Sequence, residues 1–451
     1  MNVVAIFDIG KTNKKVFLFN ENYQIVWEKS VILAETVDED GFPCENIVEL
    51  SKWVADRLTE LKELKDYILK AINFSTYGAS FVYVDEEGKS LTPLYNYLKP
   101  YPETLLENFY PKYKGKKKFA VKTASPVLGN LNSGMQIYRL KEERPDLFAK
   151  VKYCLHLPQY LSSVLTHQYF TDITSIGCHT GLWNFKKMKY HKWVTQEGIM
   201  DKLPPIRNVE ETIKIENEIS VGIGLHDSSS ALIPYTINFT EPFVLLSTGT
   251  WSISINPFND TPLTSEELQK DCLCFLQNKK IPVKAARLFA GNTHEVQSKR
   301  ISEHFGLPND FYKAITYNKD IIADLRITNF KETSFNTDSY IEKCPFENRN
   351  LDSFKNHEIA YHQLIMDLIA QQVLSTKLVI HNSPVKKVFV DGGFSKNSIF
   401  MNLLAQAFPE MEVYAASMAQ ASALGAALSI HNSWNPKPIQ NDLIDLKFYK
   451  H

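Results

Sequence analysis

The feature that most constrains the fold is a pattern of strand, glycine turn and strand that occurs twice along the chain. The apolar, strand-like runs are Val3–Phe7 and Val16–Phe19 in the first copy, and Phe243–Leu246 and Ser252–Ile255 in the second. Gly10 lies in the turn of the first copy and Gly249 in the turn of the second. A pattern that returns halfway along a chain indicates internal duplication, and it favours two domains of similar build.

The length of the chain supports the same division. At 451 residues, the chain is too long for one core of ordinary size, and two domains of roughly 200 residues each are the natural expectation. We place the boundary near residues 236–240, with residues 1–238 as the first domain and residues 239–451 as the second. Short strand-like runs alternate with stretches of helical spacing, which indicates an α/β protein.

Further elements are predicted from periodicity and from the positions of proline and glycine. Helical spacing covers Glu49–Leu69, and more helix is expected over residues 131–164, with breaks near Pro145 and Pro158. The later elements that we expect are a strand at Lys387–Val390, a helix at Asn397–Phe408 and an alanine-rich helix at Ala419–Ile430. Gly425 lies inside this last helix and indicates close packing against a neighbour.

Charge and hydropathy argue against several classes of function. The formal net charge is −1, so no global field would attract nucleic acid or an anionic membrane, and we expect neither as a partner. The apolar residues before the first aspartate are too few for a signal peptide, and no stretch approaches the ~18 apolar residues of a membrane span. Without an export signal, the six cysteines are expected to be free thiols in the cytoplasm.

The first candidate site is the segment Asp8–Lys15, which reads D-I-G-K-T-N-K-K. An aspartate at the end of an apolar strand can hold Mg²⁺, because hard cations prefer carboxylate oxygen. Gly10 allows a tight turn close to a phosphate, and the turn amides together with Thr12, Asn13 and Lys15 can donate to phosphate oxygens. A plain hairpin with a solvated tip would use the same residues, so both interpretations stay open. A Walker A motif is excluded, because Ala5 stands where that motif needs glycine.

Two other glycine-containing segments are candidates for contact with a nucleotide. In Leu245–Ser252 the hydroxyls and amides around Gly249 could face a phosphate. In Val388–Asn397 the adjacent glycines, Gly392 and Gly393, leave room for a flat ring such as adenine. An ordinary hairpin turn for the first segment, and a strand-to-helix turn that needs glycine for steric reasons for the second, remain alternatives.

The candidate for a catalytic base is Asp227 in the segment H-D-S-S-S-A, which follows the apolar run Val221–Leu225. An acid at the carboxyl end of a strand, just before a helix that serine could cap, lies where open α/β sheets bind ligands. Such a carboxylate could accept the proton of a substrate hydroxyl as that hydroxyl attacks a γ-phosphate. The alternative is that Asp227 or Ser228 only caps the next helix. A further segment, Gly291–Glu295, could line a pocket, but we interpret its His-Glu pair as a surface feature.

The order and spacing of these segments resemble the FGGY family of carbohydrate kinases over nearly the whole chain. The resemblance implies two actin-like domains of ribonuclease H type with nucleotide and sugar in the cleft between them, and it implies ATP and Mg²⁺. By this resemblance Asp227 is the catalytic base and Asp8 is the metal ligand. The nucleotide-binding residues that it implies are Asp8, Gly10, Lys11, Thr12, Asn13, Lys15, Ser247, Thr248, Gly249, Thr250, Gly392, Gly393 and Asn397.

Within the family, H-D-S-S-S-A followed by S-T-G-T-W-S is most similar to the rhamnulokinase and fuculokinase group, which acts on 6-deoxy-ketoses. The segments Ser75–Phe81 and Asn132–Gln136 lie where those enzymes contact the sugar. The substrate-binding residues that the resemblance implies are Tyr77, Gly78, Phe81, Gln136, His226, Asp227 and Trp251.

The sequence departs from the family pattern in three places. Ala79 and Ser80 stand where those kinases usually carry an aspartate, which leaves the identity of the sugar open. Gln420 replaces a common glutamate, and Lys11 replaces a residue that is commonly small.

The expected reaction is transfer of the γ-phosphoryl group of MgATP to a hydroxyl of a small ketose. The expected partners are the sugar and ATP. A homodimer is a possible oligomeric state that the sequence does not decide. The alternatives are a kinase for another ketose or a polyol, an ATPase of the actin or chaperone type, and a protein that binds sugar without phosphoryl transfer.

Overall fold

The computed structural model describes residues 1–332, 343–418 and 420–450, without the side chains of residues 217 and 328–332. Two large sheets dominate the described chain, one in each half. The strands of the first half are β1 (Asn2–Ile9), β2 (Lys14–Asn20), β3 (Ile25–Val31), β4 (Glu35–Val37), β5 (Pro43–Glu45), β6 (Ile68–Thr76), β7 (Phe81–Val84), β8 (Tyr153–His156), β9 (Thr171–Asp172), β10 (Trp183–Asn184), β11 (Lys189–Tyr190), β12 (Ile206–Arg207), β13 (Thr212–Lys214), β14 (Ser220–Gly222) and β15 (Leu225–His226).

The first sheet has the strand order β13-β14-β6-β1-β2-β3, and β15 also pairs with β6. Its central strand β1 is antiparallel to β2 and parallel to β6. Because β1 is covered on both faces, Val3–Phe7 reads as a continuous apolar run and is fully buried. The helices of this half are α1 (Ile47–Glu63), α2 (Glu103–Phe109), α3 (Lys116–Thr123), α4 (Ser133–Glu143), α5 (Pro145–Lys150), α6 (Leu157–Thr166), α7 (Ile173–Ile176), α8 (Lys192–Gln196) and α9 (Asp227–Asn238).

The second half builds its sheet around a hairpin in the same way. Its strands are β16 (Phe243–Thr248), β17 (Ser252–Asn256), β18 (Cys272–Leu276), β19 (Pro282–Leu288), β20 (Lys387–Gly392), β21 (Glu412–Ser417) and β22 (Asp445–Tyr449). The order is β18-β19-β17-β16-β20-β21-β22, and β16 is antiparallel to β17 and parallel to β20. Both glycine turns of the sequence pattern therefore join antiparallel strands beside a parallel pair, and the predicted repeated pattern and the α/β class are confirmed.

The helices of the second half are α10 (Ser265–Gln269), α11 (Ala290–Phe305), α12 (Lys319–Glu332), α13 (His357–Ile380), α14 (Ser398–Ala407) and α15 (Ala421–Ser429). Short 3-10 turns lie at Tyr110–Tyr113, Gly129–Leu131, Met200–Lys202, Glu216–Glu218, Phe311–Ala314, Pro345–Asn348, Leu351–Ser353, Gly393–Lys396 and His431–Ser433. Among the described residues, no helix combines the length and the apolar character needed to cross a bilayer. The six cysteines are buried and have free thiols.

Two predicted helices end differently in the structure. The helix predicted over Glu49–Leu69 ends at Glu63, because the chain turns at residues 64–67 and Ile68 begins the strand that pairs with β1. The helical region predicted over residues 131–164 contains the strand β8, which pairs with β7. Pro145 is the first residue of α5 and Pro158 the second residue of α6, positions that the fixed φ of proline favours. The start that we predicted for the alanine-rich helix, Ala419, lies outside the described residues.

The two halves are joined by a close helix pair. α15 lies between strands β21 and β22 of the second sheet in the chain, yet its residues pack in a core cluster with strands β1 and β2 of the first sheet. A Cβ atom on Gly425 would lie 1.8 Å from the carbonyl oxygen of Ser230 on α9. Only glycine therefore permits this approach of α15 to α9, and the close packing predicted from Gly425 is confirmed. Asn73 on β6 also donates to the Ala426 carbonyl over 2.9 Å.

A second contact between the halves involves strand β18. Leu276 at its end is fully buried in the aromatic cluster of the first half. A Cβ atom on Gly177 would lie 2.5 Å from the Leu276 Cβ atom, so this glycine makes room for the leucine. The amide of Cys274 donates to the carbonyl of Ala124 over 2.9 Å. The two halves therefore contribute side chains to a common core and form hydrogen bonds with each other at this second contact as well.

Candidate active site

The first glycine turn is tight and open to solvent at its tip. The amide of Gly10 donates to the carbonyl of Asn13 over 2.9 Å, which closes the turn between β1 and β2. A Cβ atom on Gly10 would lie 3.1 Å from that carbonyl oxygen, closer than ordinary van der Waals contact. Thr12 and Asn13 are exposed, and their amides and side chains are accessible to a ligand.

Asp8 lies directly before this turn, in a position that disfavours its negative charge. Burial and, after it, the negative charge of Asp227 raise the pKa of Asp8 to about 6. The opposing influences are a hydrogen bond of 3.0 Å from the Ser422 hydroxyl and the positive charge of Lys15. Lys15 stands opposite Asp8 in the β1–β2 ladder, so both side chains lie on the same face. Asp8, Lys15 and Asp227 are therefore electrostatic neighbours.

Asp227 begins α9, and its carboxylate remains 34% exposed. One of its oxygens, Oδ1, accepts hydrogen bonds from the Ser228 amide over 2.5 Å and from the Ser228 hydroxyl over 3.1 Å. The residue at the N-cap position is His226, and its side chain makes no capping bond. Because Asp227 Oδ1 accepts the first-turn amide of Ser228, the alternative that Asp227 or Ser228 only caps α9 stays open beside the predicted role as a base.

His226 is a buried neighbour of Asp227 and is held by a glycine. Its Nε2 atom lies 3.2 Å from Asp227 Oδ1 and 3.3 Å from the Cys178 Sγ atom. A Cβ atom on Gly78 would lie 2.9 Å from the imidazole ring. Gly78, which the sequence predicted to bind substrate, therefore packs directly on His226. The structure thus brings Gly78, His226 and Asp227 together.

Tyr97 belongs to this group, although no sequence motif indicated it. Its pKa is raised by burial and, after burial, by the negative charge of Asp227. Its ring centroid lies 6.1 Å from that of Tyr77, whose hydroxyl donates to Glu45 over 2.9 Å. Tyr97 therefore lies near Asp227, and the buried ring of Tyr77 packs beside Tyr97. The sequence offered no signal for Tyr97, because it lies in an irregular segment without periodicity.

The second glycine turn and the segment after β20 form one unit. The amide of Gly249 donates to the carbonyl of Trp251 over 2.8 Å. The Thr248 hydroxyl donates to the Asp391 carbonyl over 2.5 Å and accepts from the Phe394 amide over 3.0 Å. Gly392 has a φ of +90°, and a Cβ atom there would lie 1.9 Å from the Thr248 carbonyl oxygen. The candidate residues at 247–250 and at 391–397 are therefore adjacent in space.

The interpretation of the His-Glu pair in Gly291–Glu295 as a surface feature holds for Glu295, which is exposed, and is wrong for His294. A Cβ atom on Gly291 would lie 1.8 Å from the Gly249 carbonyl oxygen, and the Asn292 amide donates to the Thr250 carbonyl over 3.1 Å. The start of α11 is thus packed against the second glycine turn. Nε2 of His294 lies 2.9 Å from the Tyr361 hydroxyl, and burial lowers the pKa of His294 to about 4. The sequence shows only the His-Glu pair, because the contacts with the second glycine turn and with Tyr361 involve residues that are far apart in the chain.

Several predicted ligand-binding side chains already have protein partners. Lys11 forms an ion pair of 2.9 Å with Glu35 on the surface. The side-chain oxygen of Asn397 caps α14 by accepting the Ile399 and Phe400 amides, and its Nδ2 atom donates to Tyr361 over 2.8 Å. For Lys11 and Asn397, contact with a nucleotide stays a prediction.

The same holds for three residues predicted to contact the sugar. The amide nitrogen of Gln136 donates to the carbonyls of Ala79 and Asn130, each over 2.6 Å. Phe81 is buried, with its ring centroid 3.9 Å from that of His156. Trp251 is 41% exposed and packs on Phe289 at a centroid distance of 4.5 Å. A role of these side chains in sugar binding stays a prediction.

The donor set around Asp8 fits Mg²⁺ only in company with phosphate. Within the described ranges, no group of three or more histidine, cysteine, aspartate or glutamate side chains is arranged to hold a metal by itself. Proteins usually bind Mg²⁺ through one or two carboxylates together with substrate phosphates. Burial first and the negative charge of Asp227 second raise the pKa of Asp8, and a divalent cation at this carboxylate would favour its ionised form. Asp8 therefore fits the predicted ligand role.

Curated relatives of the chain are sugar and sugar-acid kinases. A rhamnulokinase of Halalkalibacterium halodurans is 24% identical over 268 residues, which are 56% of this chain and 56% of that protein. An L-fuculokinase of Escherichia coli K12 is 23% identical over 288 residues, 60% of each chain. The chain thus spans little more than half the length of these relatives. A gluconokinase of Bacillus subtilis is 21% identical over 449 residues, 93% of this chain and 85% of that protein.

Solved structures share the whole architecture. The ligand-bound xylulose kinase of Lactobacillus acidophilus superimposes with a TM-score of 0.80 at 15% identity, covering 100% of this chain and 94% of the other. This similarity confirms the predicted fold class of two actin-like domains. At this identity it says nothing about the substrate.

Family comparison covers both halves of the chain. Residues 3–231 match the N-terminal domain of the FGGY family of carbohydrate kinases, and residues 240–438 match the carbohydrate kinase FGGY C-terminal domain. The resemblance drawn from the glycine turns and from the His226-Asp227 segment is thereby confirmed. The chain belongs to the FGGY family of carbohydrate kinases.

Proposed function

We propose that this protein transfers the γ-phosphoryl group of MgATP to a hydroxyl of a small ketose, and that 6-deoxy-ketoses such as rhamnulose and fuculose are the first candidates. The observation that carries the proposal is that Asp8, directly before the first glycine turn, lies near enough to Asp227 for the charge of Asp227 to raise its pKa, after the larger effect of burial. The Asp8 carboxylate is half-buried beside the turn that would hold phosphate, and the Asp227 carboxylate is partly exposed near Tyr97. This arrangement suits a donor phosphate and an acceptor hydroxyl that meet between the two acids.

In this proposal Asp227 is the general base. Its Oδ1 atom is occupied by hydrogen bonds from Ser228, and part of the carboxylate remains accessible to a substrate hydroxyl. The base would accept the hydroxyl proton as the oxygen attacks the γ-phosphorus in line. Asp8 would hold Mg²⁺, which neutralises charge on the phosphates when it is bound. The amides of the two glycine turns would donate to phosphate oxygens, and this positioning supplies most of the catalysis.

Two observations support a ketose with an apolar face. The ring of Tyr97 is partly exposed and lies near Asp227, so it could pack against C–H groups or a deoxy methyl group. The first curated relatives are a rhamnulokinase and an L-fuculokinase. Ala79 and Ser80 still replace the usual aspartate of that group. The match with a gluconokinase over 93% of the chain makes gluconate a second candidate acceptor, and xylulose and polyols complete the set.

The cellular setting follows from the proposed donor. ATP is supplied in the cytoplasm, and the free thiols of the six cysteines suit a reducing compartment. We therefore propose a cytoplasmic enzyme with sugar and ATP as its partners, and a homodimer stays a prediction.

The first experiment measures ADP release with MgATP against rhamnulose, fuculose, xylulose, gluconate and glycerol. Under this proposal, one ketose raises ADP release well above the rate without acceptor. The variant Asp227→Asn should still bind MgATP but turn over at least ~100-fold more slowly, because a positioned base contributes about 10²–10⁴. The matched control is Asp66→Asn, which neutralises an exposed aspartate of the same half and should leave turnover unchanged.

Three outcomes would contradict the proposal. Near-normal turnover of Asp227→Asn would remove Asp227 from the role of base. ATP hydrolysis that no acceptor stimulates would favour an ATPase of the actin type, and acceptor binding without ADP release would favour a sugar sensor.

A further inference from the structure

A buried lysine lies directly after the first glycine turn, on the face of the sheet opposite to the phosphate site. Lys14 follows the turn closed by Gly10 and Asn13 and is the first residue of β2. Successive side chains of a strand point to opposite faces, so Lys14 points away from Lys15 and Asp8. Its side chain is only 3% exposed. Lys14 is therefore not available as a phosphate ligand, although it stands within the phosphate-binding segment.

The Lys14 ammonium group has two partners. It donates to the carbonyl oxygen of Lys11 in the first glycine turn over 2.9 Å. It also forms an ion pair of 2.6 Å with Oε1 of Glu45, whose side chain is 5% exposed. The lysine thus ties the backbone of the turn to a buried carboxylate.

The second carboxylate oxygen of Glu45 binds Tyr77, in the loop that follows β6. Oε2 accepts a hydrogen bond of 2.9 Å from the hydroxyl of Tyr77, which directly follows β6. Burial and the charge of Glu45 raise the pKa of Tyr77 far above its usual value, so the hydroxyl remains a donor. The backbone of Glu45 is fixed as well, because it exchanges two hydrogen bonds of 3.2 Å with Leu94.

These contacts form a continuous bridge from the first glycine turn to Tyr97, which lies near Asp227. The turn contacts Lys14, Lys14 contacts Glu45, Glu45 contacts Tyr77, and the Tyr77 ring packs on Tyr97. A buried ion pair seldom adds net stability over apolar residues of similar volume, so stability alone does not explain it. Charge-assisted hydrogen bonds are short and directional, and they fix geometry. In the proposed function the first glycine turn binds the phosphates and the Tyr77 loop lies beside the acceptor, and phosphoryl transfer requires a fixed distance between them.

We propose that Lys14 and Glu45 are positioning residues of phosphoryl transfer, which hold the first glycine turn and the Tyr77 loop at one fixed separation. The proposal rests on the proposed function only in assigning phosphate to the turn and the acceptor to the loop. A displacement of about 1 Å between reacting groups can cost roughly 100-fold in rate. Loosening of the bridge should therefore lower kcat more than it raises the KM of either substrate.

The test uses Tyr77→Phe, which removes the hydroxyl link and leaves the ring and the Lys14–Glu45 pair intact. The matched control is Tyr83→Phe, because Tyr83 is fully buried and its hydroxyl meets no hydrogen-bond partner among the described residues. With the best acceptor of the panel, Tyr77→Phe should lower kcat about 10–100-fold, change both KM values little and leave Tm near that of the control. A kcat within twofold of the wild type would overturn the proposal.

Hydrogen exchange provides a readout that does not depend on turnover. Amides of the peptide that covers residues 8–20 should exchange faster in Tyr77→Phe and stay unchanged in Tyr83→Phe. Unchanged exchange in both variants would show that the loop and the turn are independent, and it would overturn the proposal whichever acceptor is found. Absence of any acceptor-dependent ADP release in the wild type would instead refute the proposed function, and exchange would still judge the bridge.

A double variant separates geometry from stability. Lys14→Met with Glu45→Met removes both charges together, so no uncompensated charge is left in the core. Tm close to the wild-type value together with a kcat as low as that of Tyr77→Phe would support positioning. A stable double variant with wild-type kcat would refute it. Where the double variant does not fold, Tyr77→Phe alone decides.

Discussion

Asp8 illustrates how one residue of a candidate active site can oppose the stability of the fold. Its pKa is raised from 3.8 to about 6, first by burial and then by the charge of Asp227. The folded protein therefore binds the Asp8 proton more tightly than the unfolded chain does. The contribution of Asp8 to stability is fully present below pH 3.8 and is lost as the pH rises through about 6. At neutral pH without ligand, the ionised side chain destabilises the fold.

The variant Asp8→Asn should for this reason stabilise the protein without nucleotide or metal. The amide resembles the protonated acid in shape and carries no charge. At pH 8 the free energy of unfolding should rise by about 1–3 kcal/mol, at roughly 1.4 kcal/mol per pKa unit. At pH 4.5 the gain should be less than half as large, since the folded wild type is then mostly protonated. Urea unfolding at both pH values, in the presence of EDTA, measures the difference.

Asp66→Asn serves as the control for this experiment, because the side chain of Asp66 is exposed. An equal gain for Asp8→Asn at both pH values would show that the charge of Asp8 is not responsible. A lower free energy of unfolding for Asp8→Asn at pH 8 would show that the ionised carboxylate of Asp8 does not destabilise the fold.

At the scale of elements, the contact of α15 with α9 is the most specific feature. A Cβ atom at Gly425 would lie 1.8 Å from a backbone carbonyl oxygen of α9, and backbone cannot rotate away as a side chain can. Ser422 near the start of α15 also donates to Asp8 over 3.0 Å. The helix pair therefore connects the second half of the chain to the candidate active site.

The variant Gly425→Ala tests this contact through the sign of its effect. In an open helix, glycine to alanine stabilises by up to about 1 kcal/mol. Here the added methyl group must separate α15 from α9, and overpacking of this kind costs about 1–3 kcal/mol. We expect a lower Tm in thermal unfolding, together with a lower affinity for MgATP. A rise in Tm would show that the two helices can move apart freely.

The sequence allowed the elements with strong local signals to be predicted. The two glycine turns, the strands around them and α14 follow from apolar runs and glycine positions, and the structure has them there. The strand β8 was not predicted, because its few residues interrupt a region of helical spacing and are fixed by pairing with β7. The end of α1 was misplaced for the same reason, since Ile68 and Leu69 pair with β1.

The candidate site was predictable only where a residue type and its local position carry the chemistry. Asp8 ends an apolar run two residues before Gly10, and Asp227 follows an apolar run and His226 and precedes three serines. Ser422 is 414 residues away from Asp8 in sequence, and Glu45 is 32 residues away from Tyr77. No local pattern records such contacts, because they are created by packing of segments that are remote in the chain. Tyr97 and Lys14 escaped prediction on the same physical ground.

At the scale of the whole molecule, the two halves share core and should not unfold independently. Residues of α15 pack with the first sheet, and Leu276 of β18 is buried in the aromatic cluster of the first half. The proposed domain limits, residues 1–238 and 239–451, therefore separate segments whose side chains interpenetrate. Extensive shared core favours one cooperative transition, although many proteins of two domains show two.

The tryptophans make this expectation measurable. Trp53, Trp193 and Trp434 belong to core clusters built on the first sheet or the first half. Leu404 is fully buried in the core of the second sheet, and Leu404→Ala should cost about 2–5 kcal/mol there. If the halves unfold together, Leu404→Ala should lower the urea midpoint of unfolding by the same amount when it is followed by tryptophan fluorescence and by circular dichroism.

The control Ile327→Ala changes an exposed side chain of the second half and should leave both midpoints unchanged. A fluorescence midpoint that stays at its wild-type value, while circular dichroism splits into two steps, would show that the first half is stable without the second and that the shared core is energetically minor.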